Sequence, residues 1–233
     1  VTREADFKRT VFDHLAAVGT ALADPRRVAA LEFICQGPKP VEAVAEEIAA
    51  STAVASHHVR WLKRAGLATD RRAGRRVLYQ ASDLGRELWR ALSAAGERHI
   101  AGIQKAAARF FQGDGAHRAT PLPELLRRVA AGEVVLIDVR PRDEFEAGHL
   151  PGALSIPLEE IRERMAELPR NREIAAYCRG PHCILSHDAV ALLRRAGRRA
   201  FRIPASPLDG RRPVRQSAPG RPAATCARRK ARS

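Results

Sequence analysis

The chain has 233 residues, 45% of them hydrophobic and 29% charged, with a formal net charge of +15. That balance fits a folded globular protein and excludes a fibrous or wholly disordered one, and no apolar run is long enough to span a bilayer. From Arg198 onward eleven Lys/Arg stand against a single acid, Asp209, so most of the net charge belongs to the C-terminal end and is weak evidence for nucleic-acid binding by the remainder.

Single hydrophobic cores usually serve roughly 100–150 residues, so this length favours two domains. The N-terminus lacks the apolar core of a secretory signal. Four cysteines, Cys35, Cys178, Cys183 and Cys226, are too irregularly spaced for a disulfide framework. A cytoplasmic protein with no membrane partner is therefore expected, in a compartment where a cysteine is more often chemical than structural.

Helical periodicity begins at about residue 7 and runs to 22. Asp24-Pro25 then offers a cap and a first-turn proline for a second helix over 25–35, which Gly37-Pro38 stops. A third short helix is predicted over 41–49. Ser51 can cap a fourth that runs to Gly66. Two short β-like runs, 67–70 and 76–81, follow, joined by the basic turn Arg71-Arg72-Ala73-Gly74-Arg75.

In this layout the fourth helix can enter a major groove while the hairpin straddles a phosphate strand. Helical spacing puts Ala55, Val59 and Leu62 on one side of that helix, and Ser56, His57, Arg60 and Arg64 on the other. Short polar side chains with an arginine suit base edges and phosphates. Ser51, Thr52, Ser56, His57 and Arg60, with Arg71, Arg72, Arg75 and Arg76 of the hairpin, are the candidate DNA-binding residues. A merely solvated helix face is the competing reading, and the adjoining arginine cluster weighs against it.

Residues 18–82, with Ala23-Asp-Pro-Arg-Arg-Val28, Ser56-His-His-Val59, Leu62-Lys-Arg-Ala-Gly-Leu67 and Val77-Leu-Tyr-Gln-Ala-Ser82, resemble an ArsR-type winged helix-turn-helix transcriptional regulator. The resemblance implies a homodimer built on its first and last helices and bound to double-stranded DNA at an imperfect palindrome. A long last helix is expected over 83–111. Many relatives sense metals through cysteine pairs in the third helix or through acid and histidine pairs on the last. Here 41–49 has no cysteine and the last helix offers only Glu97 and His99, so neither a metal site nor a cofactor is expected. Cys35 reads as a small core residue on the side of Leu31.

Residues 112–120 read as a linker, and beyond them strands and helices alternate. Helices are predicted near 121–131, 158–167 and 184–196, and strands over 134–139, 153–156, 173–177 and 200–203. Such alternation predicts a parallel sheet covered on both faces, with ligands beyond the carboxyl ends of its strands. Cys178 stands at such an end, before a helix. Backbone N–H groups and the helix dipole would favour its thiolate there, and Arg179 would add a positive charge. A buried, inert cysteine is the competing reading.

Asp138-Val-Arg140, Glu144-Phe145, Gly148-His149-Leu150-Pro-Gly-Ala153 and Tyr177-Cys178 resemble a rhodanese domain. The resemblance implies that Cys178 takes the outer sulfur of a donor such as thiosulfate, becomes a persulfide and passes sulfur to a thiol acceptor. It implies supporting roles for Asp138, Arg140 and Glu144.

The loop Cys178-Arg179-Gly180-Pro181-His182-Cys183 departs from the commoner Cys-x-x-Gly-x-Arg pattern of the family. Pro181 removes one N–H from the anion cradle. Cys183 supplies a second thiol that could resolve a persulfide, or could simply pack. A phosphatase-like variant needs an arginine six residues after the cysteine, where Ile184 stands instead. His182, His187 and Asp188 read as solvent-facing.

The expected fold is therefore a mostly α winged helix-turn-helix domain (1–111), a linker (112–120), an α/β parallel-sheet rhodanese-like domain (121–203) and a disordered Arg/Pro-rich tail (204–233). That tail reads as a truncated or frame-altered ending that leaves one sheet face partly uncovered, or as a basic arm for DNA phosphates. The expected function is transcription regulation set by sulfane sulfur on Cys178. Two alternatives stand: a sulfurtransferase with independent DNA binding, and a regulator whose rhodanese-like module is inactive.

Overall fold

The structure, a computed structural model, describes residues 2–111 and 120–210. Helices α1 (Arg3–Leu22), α2 (Pro25–Cys35), α3 (Val41–Glu47) and α4 (Thr52–Arg64) form the first part, with the two-residue strand β1 (Lys39–Pro40) between α2 and α3. Asp24 starts α2 by accepting hydrogen bonds from the backbone N–H groups of Arg26 and Arg27, ahead of Pro25 in the first turn. Ser51 caps α4 through the Val54 N–H. A hairpin of β2 (Ala68–Ala73) and β3 (Arg76–Ala81) follows, and β1 joins it on the β3 side to make an antiparallel sheet. Arg71 and Arg72, expected in the turn, lie in β2. Pairing continues to Ala73 opposite Arg76, and the turn contracts around Gly74, whose φ of +59° suits glycine. Leu31, Ile34, Val44, Ala55, Val59 and Leu62 close one core.

The expected single last helix is two: α5 (Asp83–His99) and α6 (Ala101–Phe110), with Ile100 extended between them. Two features explain the break. The Gln104 amide donates to the Glu97 and Arg98 carbonyls, replacing partners that the end of α5 lacks. At Gly96, a Cβ would come within 2.9 Å of the Ile103 side chain, so the missing side chain lets α6 pack back on α5.

The second part comprises α7 (Leu122–Ala130), β4 (Val134–Asp138), α8 (Arg142–Ala147), β5 (Leu154–Ser155), β6 (Glu173–Tyr177), α9 (Leu185–Arg195), β7 (Ala200–Arg202) and the single turn α10 (Pro207–Gly210). Its strands run parallel in the order β5-β4-β6-β7. Period-two alternation sends Ile174, Ala176 and Cys178 to the α9 face and Ala175 and Tyr177 to the α7 face, both buried. The helix expected near 158–167 is instead two 3₁₀ turns, Leu158–Glu160 and Met165–Glu167. Arg164 ties this segment to the Ser155 carbonyl, Glu160 and Glu167, while Ile161 and Leu168 reach the core.

Residues 204–210, expected as the start of a disordered tail, are folded. The Ser206 N–H bonds to the Asp209 carboxylate at 2.8 Å, and Leu208 packs into the core of the first part. Nor is a sheet face left uncovered, for Phe201 and Ile203 are 3% and 2% exposed. The rest of the tail, 211–233, and residues 112–119 of the linker lie outside the described residues.

The two parts meet through charge as well as packing. Lys39, buried at the foot of the hairpin sheet, places its Nζ 2.6 Å from Asp143 and 3.1 Å from Glu144 of α8. Arg140 Nη1 donates to the Gln36 side-chain oxygen at 3.2 Å. Gly37 lies so close to α8 that an added Cβ would stand 2.7 Å from the Ala147 Cβ. On another side, Phe110 and Phe111 at the end of α6 pack against His187, and the Arg202 guanidinium lies 3.9 Å from the centre of the Phe111 ring. His187, expected to face solvent, is thus drawn into the contact between the parts.

Candidate cysteine site at the domain boundary

β4 and β6 end in register, with Asp138 opposite Tyr177, so the residue after each pair marks the carboxyl edge of the sheet. Cys178 is that residue on β6. Alternation turns it toward α9, where the first turn supplies Ser186, and the Cys178 Sγ to Ser186 Oγ distance is 3.1 Å. Ser186 escapes a reading of the motif because it lies eight residues from the cysteine; its position in the first turn after the loop is the only signal.

Cys178 has no exposed surface. Burial pushes its thiol up, but hydrogen bonds from the Cys183 thiol, the Ser186 hydroxyl and the Ser186 and Gly180 backbone outweigh this and bring it from 9.0 down to about 7. The partner thiol responds oppositely: its bond to Cys178, then burial, drives Cys183 upward. Cys35, by contrast, is pushed by burial up to about 12 and sits beside Leu31 and Ile34 as a packing residue.

Arg179 does not serve the thiol directly. Its guanidinium donates to both oxygens of Glu144, at 2.8 and 3.2 Å, and to Glu47 of α3 at 3.1 Å, and it lies 5.0 Å from the centre of the Phe33 ring. Its charge is spent on two carboxylates, which hold it well above its ordinary value although burial opposes this. The thiolate is stabilised by local hydrogen bonds instead. The loop is fixed from below, where the Pro181 carbonyl accepts from Arg202 at 2.7 Å and the Gly180 carbonyl from the Cys183 N–H at 3.2 Å.

Asp138, Arg140 and Glu144 are all fully buried. Arg140 is held by both oxygens of Asp138 and donates to the Gly148 carbonyl at 2.8 Å. The Tyr177 hydroxyl accepts from the Leu150 N–H, tying the Gly148–Ala153 segment to the strand that bears the cysteine. These groups thus brace the loop from the opposite face of the sheet, and none of them bonds to Cys178.

A cavity of about 430 Å³ opens beside the loop. Cys183, His182, Arg179 and Glu159 contribute from one part of the chain, and Glu32 and Glu47 from the other. Cys183 is on its wall and Cys178 is not. Burial raises Glu32 to about 7, with Arg179 opposing the rise. Glu32, Glu47, Gln36 and Lys39 left no trace as site residues in the sequence, since each reads as an ordinary polar position on a helix or strand until the two parts are docked.

The residues expected to meet DNA gather on another surface. Ser51, Thr52, His57, Arg60, Arg71, Arg72, Arg75 and Arg76 are exposed and Ser56 is half-buried, whereas Ala55, Val59 and Leu62 are fully buried behind them. Ser51 also caps α4. The His57 ring accepts from the Trp61 indole N–H at 3.0 Å, which fixes its orientation.

A family model described as bacterial regulatory protein, arsR family, matches residues 24–70, and one described as rhodanese-like domain matches 122–204. The HTH-type transcriptional regulator Rv0324 of Mycobacterium tuberculosis (strain ATCC 25618 / H37Rv) is 40% identical over 221 residues, covering 93% of this chain and 96% of that protein. The chain belongs to the arsR family of bacterial regulatory proteins. In this ArsR-family transcriptional regulator the winged helix-turn-helix domain is joined to a rhodanese-like domain. A sulfurtransferase of Allochromatium vinosum (strain ATCC 17899 / DSM 180 / NBRC 103801 / NCIMB 10441 / D) is 38% identical over 74 residues, which are 31% of this chain and 67% of that one. A solved homodimeric winged helix-turn-helix DNA-binding domain (fragment 1–100) of Mb0332 from Mycobacterium bovis shares 31% identity, with a TM-score of 0.40, over 43% of this chain and 94% of that one. Among the described residues of the regulator no helix is long and apolar enough to cross a membrane.

Proposed function

We propose that this ArsR-family regulator sets its DNA affinity by the sulfur state of Cys178. The observation that carries the reading is the chain of contacts from the thiol to the reading head. The Cys178 sulfur lies 3.5 Å from the carbonyl oxygen of Cys183, the residue that carries the second thiol of a loop whose Arg179 grips Glu47 of α3, the helix that precedes α4 in the helix-turn-helix. A thiolate at Cys178 attacks the outer sulfur of a persulfide donor, RS–SH, forming the protein persulfide and releasing RS⁻. Cys183 then attacks the inner sulfur, giving a Cys178–Cys183 disulfide and hydrogen sulfide. Either product needs room that a fully buried thiol lacks, so the loop must shift and with it the Arg179–Glu47 pair.

DNA contact falls to α4 and the hairpin arginines. The exposed apolar residues Phe7, Phe12 and Leu15 of α1, with Leu84 and Leu92 of α5, are the faces for a homodimer that would match a palindrome. A sulfur state changes DNA binding only if it favours one arrangement over the other. A mobility-shift assay with and without polysulfide, on the parent and on Cys178→Ser, tests this. Weakened or strengthened binding in the treated parent alone is expected, and identical operator binding in all four samples refutes it.

The similarity to a sulfurtransferase over 74 residues supports a second reading, in which sulfur transfer and DNA binding proceed independently. It predicts catalytic turnover of persulfide to a thiol acceptor with DNA affinity unchanged.

A further inference from the structure

The resemblance to rhodanese raises the expectation of a sulfur oxyanion such as thiosulfate as donor, and such a dianion is held by uncompensated positive charge or by free N–H groups. Among the described residues, the cavity beside Cys183 offers no guanidinium or ammonium that is not already paired with carboxylates. The guanidinium among its described lining residues, Arg179, is already bound by Glu144 and Glu47. Lys39, the next cation inward, is bound by Asp143 and Glu144. Glu32 and Glu159 add two further carboxyl groups to the walls, and His182 is the other basic side chain lining it. Pro181 lacks an N–H, and the Cys183 N–H is taken by the Gly180 carbonyl. An apolar wall of Val139, Pro157, Leu158 and Leu185 completes a space of about 430 Å³, ample for a small organic thiol.

We infer that the sulfur donor of this site is an aminothiol persulfide, whose ammonium group is read by Glu32 and Glu47 of the winged-helix domain while its sulfur faces the cysteine pair. The inference rests on the sulfur reading of the Cys178 loop and adds its substrate class. It also makes the DNA-binding domain part of the donor site, since a donor seated there touches α2 and α3 directly. An anionic donor in the same place would meet carboxylates on both domains, and field lines in a cleft with apolar walls sharpen that discrimination.

The test uses two methanethiosulfonate reagents of similar size, one carrying an aminoethyl group and one a sulfonatoethyl group. In each case a protein thiolate displaces methanesulfinate and keeps the reagent's sulfur in a mixed disulfide. Rates at Cys183 are read by peptide mass on the full chain and divided by the rates of the same reagents with the unfolded chain. The cation is expected to react about tenfold faster than the anion, and the preference should shrink toward unity in Glu32→Gln/Glu47→Gln and in concentrated salt. Equal rates in the parent, a faster anion, or a preference unmoved by the double substitution overturns the inference. Exposure to cysteamine persulfide and, separately, to thiosulfate distinguishes this failure from that of the sulfur reading. Gain of one sulfur on Cys178 together with equal reagent rates defeats only the inference. No gain from either donor defeats the sulfur reading itself.

Discussion

Ser186→Ala isolates the device that ionises Cys178. The substitution removes one oxygen from a fully buried site and leaves the backbone N–H of residue 186 in place. A hydrogen bond to a charged group contributes roughly 1.5–3 kcal/mol, and one pKa unit is about 1.36 kcal/mol. Loss of the hydroxyl should therefore raise the thiol by about one to two units from its value of about 7. At pH 7 the thiolate fraction would fall from about one half to between about a tenth and a hundredth. The more basic thiolate is intrinsically about threefold more nucleophilic per unit, which offsets part of the loss. Alkylation at pH 7 should thus slow about two- to sixfold, while well above both pKa values the variant should overtake the parent. Iodoacetamide labelling across pH measures this, because trypsin cleaves after Arg179 and separates Cys178 from Cys183. A midpoint that stays near that of the parent, or falls, would show that the hydroxyl does not hold the thiolate.

Glu32 binds its proton more tightly in the folded chain than its ordinary value of 4.5 implies, so the stability it contributes is complete at acid pH and is lost as pH rises toward about 7. Glu32→Gln should flatten urea stability between pH 5 and pH 8 and raise it at pH 8 by up to about 3 kcal/mol; an unchanged pH dependence contradicts the assignment. Arg75→Ala/Arg76→Ala, which removes two arginines from each protomer of the dimer, should lower the slope of log affinity against log salt by up to about four without altering the fold, whereas an unchanged slope would remove the hairpin tip from the DNA contact. Gly37→Ala should press on α8 and cost about 1–3 kcal/mol in thermal or urea unfolding; parent-like unfolding would mean that the two domains are not closely seated there.

Much of this regulator was legible from local rules. Asp24-Pro25 and Ser51 start helices where their capping chemistry requires, and period-two alternation in 173–177 places Cys178 at a strand end before a helix. These features depend on residues within a turn or two of one another, so a linear reading reaches them. The break at Ile100 was not legible, because it depends on Gln104 reaching back to α5 and on Ile103 finding space over Gly96. The folding of 204–210 was hidden likewise, since Leu208 is buried only by a core formed far earlier in the chain. At the site itself, sequence singled out the cysteine, but a positive charge on the next residue suggested a partner that the fold assigns elsewhere. Arg179 is drawn to Glu144, from the same domain, and to Glu47, from the other. Sequence by itself determined the two domains, the fourth helix with its exposed polar face and the position of Cys178 at a strand end, because periodicity and caps are local. Only the tertiary structure decided which groups ionise the thiol, which thiol faces the cavity and which carboxylates line it, because charges more than a hundred residues apart interact only once the domains are docked.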